Sequence, residues 1–75
     1  MKELVEILAK SLVDNPDQVV VKEIVEANEL RYELNVAETD MGKVIGKQGR
    51  IAKALRIVLK AAANKEQKRV SLDIV

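Results

Sequence analysis

Apolar residues near the N-terminus recur at helical spacing. They are Leu4, Ile7, Leu8 and Leu12, at positions i, i+3, i+4 and i+8. This spacing predicts an amphipathic helix. The helix is expected to run from Lys2 to Val13 and to stop before Asn15-Pro16, because proline cannot continue the helical hydrogen-bond ladder and disfavours the helical conformation in the residue before it.

Three later segments carry strand patterns. The valine-rich segment 18–27 predicts a first strand, and its imperfect alternation leaves two candidate inward sets, Val19, Val21 and Val25 or Val20 and Ile24. A turn near Asn28-Glu29 leads to the strictest alternation in the chain, formed by Leu30, Tyr32, Leu34 and Val36. A strand at the C-terminus is predicted from Val70, Leu72 and Ile74.

Two further helices are predicted between the second and third strands. The first is a short helix that ends at about Ile45, and the side chain of Thr39 or Asp40 is expected to cap it by accepting from its first free amides. The second helix spans 50–63, with Asn64 as its C-cap. The core-facing side of this second helix is expected to hold Ile51, Leu55, Val58 and Ala62.

These elements predict one α+β domain across residues 1–75, in the order α-β-β-α-α-β. The two helices between the second and third strands form a crossover, which normally returns the chain parallel to the strand it left. The first two strands form an antiparallel hairpin. We therefore expect a three-stranded mixed sheet with the second strand in the middle and three helices packed on one face.

The composition excludes several classes of protein. A chain of 75 residues has room for one thin core but not for a deep substrate cavity with a separate cofactor site, so an enzyme is disfavoured. Because the chain lacks cysteine and histidine, we expect no disulfide, no cofactor and no metal site. No segment approaches the ~20 apolar residues of a membrane span, and the acidic N-terminus differs from a signal peptide, so a cytoplasmic location is expected.

Charge divides the chain into unequal parts. Residues 1–40 hold four basic and ten acidic side chains, whereas residues 41–65 hold seven basic side chains and no acidic one, for a net charge of only +1. Binding responds to the local field, so the second part is a candidate nucleic-acid surface. Its basic residues are Lys43, Lys47, Arg50, Lys53, Arg56, Lys60 and Lys65. Tyr32 is the sole aromatic residue, so bases would have to be contacted by aliphatic or polar groups.

The centre of this basic segment is the tetrapeptide Gly46-Lys47-Gln48-Gly49. Glycine tolerates positive φ and lets another backbone come close, and the N-terminus of the following helix presents free amides and the positive end of its dipole. Lys47 and Arg50 add full charges at the same place. Such a loop suits a phosphodiester backbone. The simpler alternative is a tight turn between helices made soluble by lysine, which a bare G-x-x-G pattern would favour.

The run Val44-Ile45-Gly46-Lys47-Gln48-Gly49-Arg50, within these helices and strands, resembles the type II KH domain. With the preceding Asp40-Met41-Gly42-Lys43, the chain is similar along essentially its whole length to the KhpA family of small bacterial KH proteins. The resemblance implies binding of single-stranded RNA, with about four nucleotides beside the loop. It also implies an RNA chaperone or post-transcriptional regulator that forms a homodimer or a heterodimer with a KhpB (Jag or EloR)-type protein, linked in some bacteria to cell elongation.

Carried over by position, the resemblance assigns the phosphate contacts to Gly46, Lys47, Gln48 and Gly49, with charge from Lys47 and Arg50. The other RNA-binding candidates are Lys43, Val44, Ile45 and Lys53, and a groove wall would add Ile51 with Leu34 or Val36. A core role is the simpler alternative for Leu34, Val36, Val44 and Ile51, and we prefer it for Leu34 and Ile51. Lys53, Arg56 and Lys60 form one stripe, which is either a further phosphate contact or an ordinary solvated face.

A second surface is predicted on another side of the last helix. At ~100° per residue, Ile57 lies away from the face that holds Leu55, and Ala54 and Ala61 flank it. A flat apolar strip of this kind would let a second helix approach closely, and dimerisation would add buried area to a very short chain. We therefore expect a homodimer through Ala54, Ile57 and Ala61.

Three other functions fit the chain less well. The main alternative is a protein-interaction module that keeps the KH shape with little RNA binding, although the basic, acid-free loop argues against it. A helix-turn-helix DNA-binding protein would need base-reading polar side chains, whereas residues 50–63 contain no Asn or Gln. An enzyme would depend on lysine or carboxylate groups, and the basic segment offers no carboxylate as a partner.

Overall fold

A computed structural model of the chain describes residues 1–65 and 67–75. Its helices and strands are α1 (Lys2–Leu12), β1 (Val20–Val25), β2 (Glu29–Asn35), α2 (Met41–Ile45), α3 (Arg50–Asn64) and β3 (Arg69–Ile74). Short 3₁₀ turns lie at Pro16–Gln18, Glu38–Asp40 and Lys47–Gly49. The predicted order α-β-β-α-α-β is therefore confirmed.

The strands form one mixed sheet in the order β1-β2-β3. β1 and β2 are antiparallel, with Glu23 opposite Tyr32, and a tight turn at residues 26–29 joins them. β2 and β3 are parallel, with Tyr32 opposite Leu72. The crossover through α2 and α3 thus produces the predicted parallel pair. It also places β2, the strand with the strictest alternation, in the middle of the sheet.

The core lies between one face of this sheet and the helices. Its most buried large apolar side chains, each at most 1% exposed, are Tyr32, Leu34, Leu59 and Val44. On β1 the inward residue is Val21, which is 5% exposed, whereas its neighbour Val20 is 53% exposed. This decides between the two inward sets that the sequence left open. Val25, at the end of the inward set, is nevertheless 66% exposed.

The buried face of each long helix agrees only in part with the predicted face. Of the predicted α1 residues, Leu4 and Leu8 are partly buried against the core. In α1 the buried residues are Val5 and Ala9, while Ile7 is 62% exposed. In α3 they are Ala52, Leu55, Leu59 and Ala63. Of the predicted α3 face, Leu55 is buried and Ile51 packs against the core, but the predicted burial of Val58 was wrong, since Val58 is 44% exposed. Apolar residues occupy most of the circumference of α3, so spacing alone could not decide which of them meets the sheet.

Two predicted boundaries also differ from the structure. β1 begins at Val20 rather than near residue 18, because Pro16–Gln18 forms a 3₁₀ turn. α3 includes Asn64 within its last turn, and Lys65 takes the C-cap position instead. In the part of the chain that the structure describes, no helix has the length and apolar character needed to cross a membrane.

Candidate nucleic-acid interface

The interface is built around α2 and the turn that follows it. α2 has only five residues, and an isolated helix of this length would not be stable in water. Contacts in the core and at both of its ends hold it in place. Val44 is completely buried in the core, Asp40 ties its N-terminal end to another part of the chain, and Gly46 packs against Ile51 at its C-terminal end.

Asp40 connects the start of α2 to the chain reversal after α1. Its carboxylate is 1% exposed and accepts hydrogen bonds from the amide of Asp14 at 3.2 Å and from the amide and the side-chain Nδ2 of Asn15 at 3.0 Å each. It makes no capping hydrogen bond to α2, so its predicted capping role was wrong. Thr39 does not cap α2 either. The carboxylate binds amides 25 and 26 residues earlier in the chain instead.

The same contacts shift the pKa values of Asp40 and Lys43. Burial on its own would raise the pKa of Asp40, but hydrogen bonds from Asn15 and Asp14 and the positive charge of Lys43 outweigh it, so the pKa lies below its ordinary value. The Lys43 ammonium donates to the Asp14 carboxylate, and this hydrogen bond raises the pKa of Lys43. Lys43, a predicted RNA contact, therefore already has a partner within the protein.

The turn after α2 requires its two glycines for different reasons. Gly46 has a φ of +76°, and a Cβ added there would lie 2.6 Å from Cγ1 of Ile51. A side chain at Gly46 would thus meet both an unfavourable backbone conformation and a packed neighbour. Gly49 has a φ of +73°, but among the described residues no atom beyond its two chain neighbours lies within 4 Å of an added Cβ. Only the backbone conformation disfavours a side chain at Gly49.

The residues between the glycines are exposed and shape the backbone. Lys47 and Gln48 belong to a 3₁₀ turn in which Gln48 takes the left-handed values φ 57° and ψ 27°. Nothing in the sequence predicted this conformation. A right-handed residue followed by a left-handed one directs successive amides to one side, which forms a concavity suited to an anion. α3 begins immediately afterwards at Arg50, so the positive end of its dipole lies at the same place.

One side of α3 carries basic residues next to the edge of the sheet. Lys53, Arg56 and Lys60 are all exposed and share this side. Arg56 donates from Nε to the carbonyl oxygen of Leu72 at 3.1 Å, which holds its guanidinium against β3. Arg56 and Lys60 line an open groove of about 280 Å³ between α3 and β3, together with Ser71, the acidic Asp73 and the apolar side chains Leu59, Val70 and Leu72. We refer to Lys53, Arg56 and Lys60 as the basic side.

Another side of α3 is apolar and exposed. The predicted dimer residues Ala54, Ile57 and Ala61 all lie at the surface, with Ile57 at 60% exposure. Val58, which had been expected in the core, joins them. These four residues are called the α3 strip. The strip borders an apolar groove of about 360 Å³ between α3 and α1.

The predicted RNA-binding residues divide into exposed and buried groups. Those exposed near the turn are Ile45, Lys47, Gln48, Arg50 and Lys53. Those buried in the core are Val44 and Leu34, each 0% exposed, and Val36 at 6%. A buried side chain offers no surface to RNA in this conformation, so the core alternative applies to these three. Ile51 is half-buried and supports Gly46.

Two contacts near the interface were not foreseen from the sequence. The only sequence feature that pointed to Asp40 is an acidic residue before a helix, and this feature favours a local cap over a distant contact. No sequence feature pointed to the hydrogen bond from Arg56 to Leu72, because a basic residue on an exposed helix face is usually solvated. Both contacts join residues that are distant in sequence.

Comparisons with known proteins agree with this architecture. The family model described as "KhpA/KhpB, KH domain" matches residues 2–74. The chain belongs to this KH-domain family. The proteins named "RNA-binding protein KhpA" from Clostridium perfringens and Clostridium acetobutylicum are each 61% identical to it over 75 residues, with 100% of both chains covered. The resemblance to KhpA proteins inferred from the sequence is therefore confirmed.

A solved structure shares the same fold at low identity. It is the crystal structure of Era in complex with MgGDPNP and nucleotides 1506–1542 of 16S ribosomal RNA, with a TM-score of 0.70 and 22% identity. The match covers 97% of this KH chain and 28% of the Era chain. It supports the KH arrangement of a three-stranded mixed sheet with three helices on one face.

Proposed function

We propose that this KH protein is a non-catalytic RNA-binding protein that holds single-stranded RNA at the turn 46–49. The observation that carries the proposal is the combination of three features at one exposed turn. These are the left-handed conformation of Gln48, the N-terminus of α3, and the side chains of Lys47 and Arg50. Full-length relatives named as RNA-binding proteins support RNA as the class of ligand.

The basic side of α3 would extend this site beyond the turn. From Arg50 to Lys60 the helix rises about 15 Å, which is comparable with the length of a few nucleotides of extended RNA. A strand leaving the turn would pass Lys53 and reach the groove beside β3, where Arg56 and Lys60 add two positive charges against the single negative charge of Asp73. Leu59 and Leu72 are buried, so the half-buried Val70 is the aliphatic side chain that this groove offers to a base.

The same proposal includes a homodimer formed through the α3 strip. The exposed apolar surface at Ala54, Ile57, Val58 and Ala61 supports it, since a second helix can approach small side chains closely. A dimer would carry two RNA sites, as expected of a cytoplasmic RNA chaperone or post-transcriptional regulator. A KhpB-type protein is the proposed alternative partner for the strip, because the family includes both KhpA and KhpB.

The decisive test places negative charge at the turn and keeps both glycines. Lys47→Asp combined with Gln48→Asp should weaken binding of a short unstructured RNA about 100-fold at low salt, because two carboxylates would face the phosphates. Fluorescence anisotropy at two salt concentrations measures the affinity, and circular dichroism checks the fold.

The matched control is Lys22→Asp with Gln18→Asp, which makes the same change in charge at two exposed positions away from the turn. Its affinity for RNA should remain close to that of the parent. A folded Lys47→Asp, Gln48→Asp variant that binds as tightly as the parent would exclude the turn as the RNA site and favour the protein-interaction module.

A further inference from the structure

Asp40 is the one buried charged side chain among residues 1–65 and 67–75. Burying a carboxylate is costly unless its oxygens are hydrogen-bonded. Here Oδ1 accepts from the amide of Asp14, and Oδ2 accepts from the amide and the side chain of Asn15. Both oxygens are therefore engaged, and all their partners belong to the chain reversal that follows α1.

A second contact joins α2 to the same reversal. Lys43, three residues after Asp40, pairs with the carboxylate of Asp14. Asp40 takes the N-cap position of α2 and Lys43 lies within it, so the two contacts attach α2 to Asp14 and Asn15 at two points. Two points of attachment restrict both the position of α2 and its rotation about its own axis.

The orientation of α2 determines where the RNA-binding turn lies. Its five residues rise only about 7 to 8 Å, and the amide of Gly46 donates to the carbonyl of Gly42 at 2.8 Å, so no flexible segment separates helix from turn. A change of angle at Asp40 would therefore be carried directly to Gly46. The opposite end of the turn leads into α3, whose Ile51 also packs against Gly46.

We propose that Asp40 is a positioning residue for RNA binding, which holds α2 so that the turn 46–49 keeps its phosphate-binding shape. The proposal rests on the proposed function of this turn. Asp40 itself is too deeply buried to contact RNA. Its effect would pass through α2, whose C-terminal end leads directly into Gly46.

Simple electrostatics predicts the opposite change in RNA affinity when Asp40 is replaced. Asp40 is a negative charge close to a site for an anion, so its removal should strengthen RNA binding if charge alone mattered. A positioning role predicts that removal weakens binding. In Asp40→Asn, a side-chain amide replaces one carboxylate oxygen, so at least one of the three donors from Asp14 and Asn15 faces another donor.

The experiment compares Asp40→Asn with Glu38→Gln, which removes the same charge from an exposed residue in the same 3₁₀ turn. At a temperature where both variants are folded, Asp40→Asn should bind a short unstructured RNA about threefold to tenfold more weakly than the parent. Glu38→Gln should bind equally or more tightly. Unchanged or tighter binding by folded Asp40→Asn would overturn the proposal.

A measurement without RNA separates this proposal from the proposed function. The chain has three glycines, so selective ¹⁵N-glycine labelling gives one amide resonance each for Gly42, Gly46 and Gly49. Displaced Gly46 and Gly49 resonances are expected in Asp40→Asn but not in Glu38→Gln, and unmoved resonances would contradict the positioning role. If the Lys47→Asp, Gln48→Asp variant kept its RNA affinity, the proposed function would fail. The Gly46 and Gly49 resonances alone would then show whether Asp40 positions the turn.

A milder variant covers the case in which Asp40→Asn does not fold. Asn15→Ala removes the Nδ2 donor and leaves the two backbone amides on the carboxylate. It should weaken RNA binding in the same direction by about twofold to threefold. Parent-like affinity together with unmoved Gly46 and Gly49 resonances in this variant would count against the proposal.

Discussion

The basic side of α3 and the α3 strip are both exposed, yet they differ in chemistry. The basic side faces the groove beside β3 and has Arg56 bound to the backbone of that strand. The strip is apolar, borders α1, and includes Ile57 at 60% exposure. Exposed charge suits a phosphate backbone, whereas an exposed apolar strip suits a protein surface.

The difference shows how a short chain could serve two partners with a single helix. The two surfaces occupy separate parts of the circumference of α3, and the buried face occupies a third. RNA binding and self-association should therefore be separable by mutation. The turn 46–49 lies at the N-terminal end of both surfaces, so substitutions in the turn test the region that adjoins both of them.

The largest effect is expected at Gly46, where the turn packs against the helix. Gly46→Ala should lower the free energy of unfolding by about 3 kcal/mol, because it adds a positive-φ penalty to a clash with Ile51. Gly49→Ala should cost only about 1 kcal/mol, because it has the penalty without the clash. Urea denaturation monitored by circular dichroism measures both. Equal losses would show that packing against Ile51 does not distinguish the two ends of the turn.

The next effect concerns the α3 strip. Ile57→Lys should raise the dissociation constant of the homodimer about 100-fold, because it places a charge in the centre of the proposed apolar interface. RNA affinity for an oligonucleotide short enough to occupy one site should change by no more than about twofold. Analytical ultracentrifugation of Ile57→Lys measures the first expectation.

The control for the strip is Ile7→Lys on α1, because Ile7 is 62% exposed and lies outside the strip. It should leave the sedimentation coefficient unchanged. If the parent is a dimer and Ile57→Lys sediments as the parent does, the strip is not the dimer interface.

The smallest effect is expected on the basic side. Lys53→Gln with Lys60→Gln should weaken RNA binding about tenfold at low salt and reduce the slope of log affinity against log salt by about 1.4, since two phosphate contacts would be lost. Dimerisation should not change. Lys2→Gln with Lys10→Gln removes two exposed charges from α1 and should leave the slope as it is. A slope equal to that of the parent in the first variant would show that the basic side is a solvated face.

The regular parts of the fold were predictable because their signals are local. On β2, the alternation of Leu30, Tyr32 and Leu34 was sufficient to predict which side chains are buried, since a strand with one covered face has only two possible orientations. The two glycines likewise marked the turn correctly, because positive φ favours glycine at Gly46 and Gly49. The same signals could not predict that Gln48 adopts positive φ without being glycine.

The sequence by itself determined the order of the elements, the concentration of positive charge in residues 41–65 and the place of the turn between two helices. Only the tertiary structure decided which face of α3 is buried, and that Asp40 binds Asn15 instead of capping α2. The physical reason is the distance along the chain between the residues that interact. Strand alternation, turns and caps depend on residues within about four positions of one another, whereas the buried face and the carboxylate partners depend on surfaces that only packing brings together.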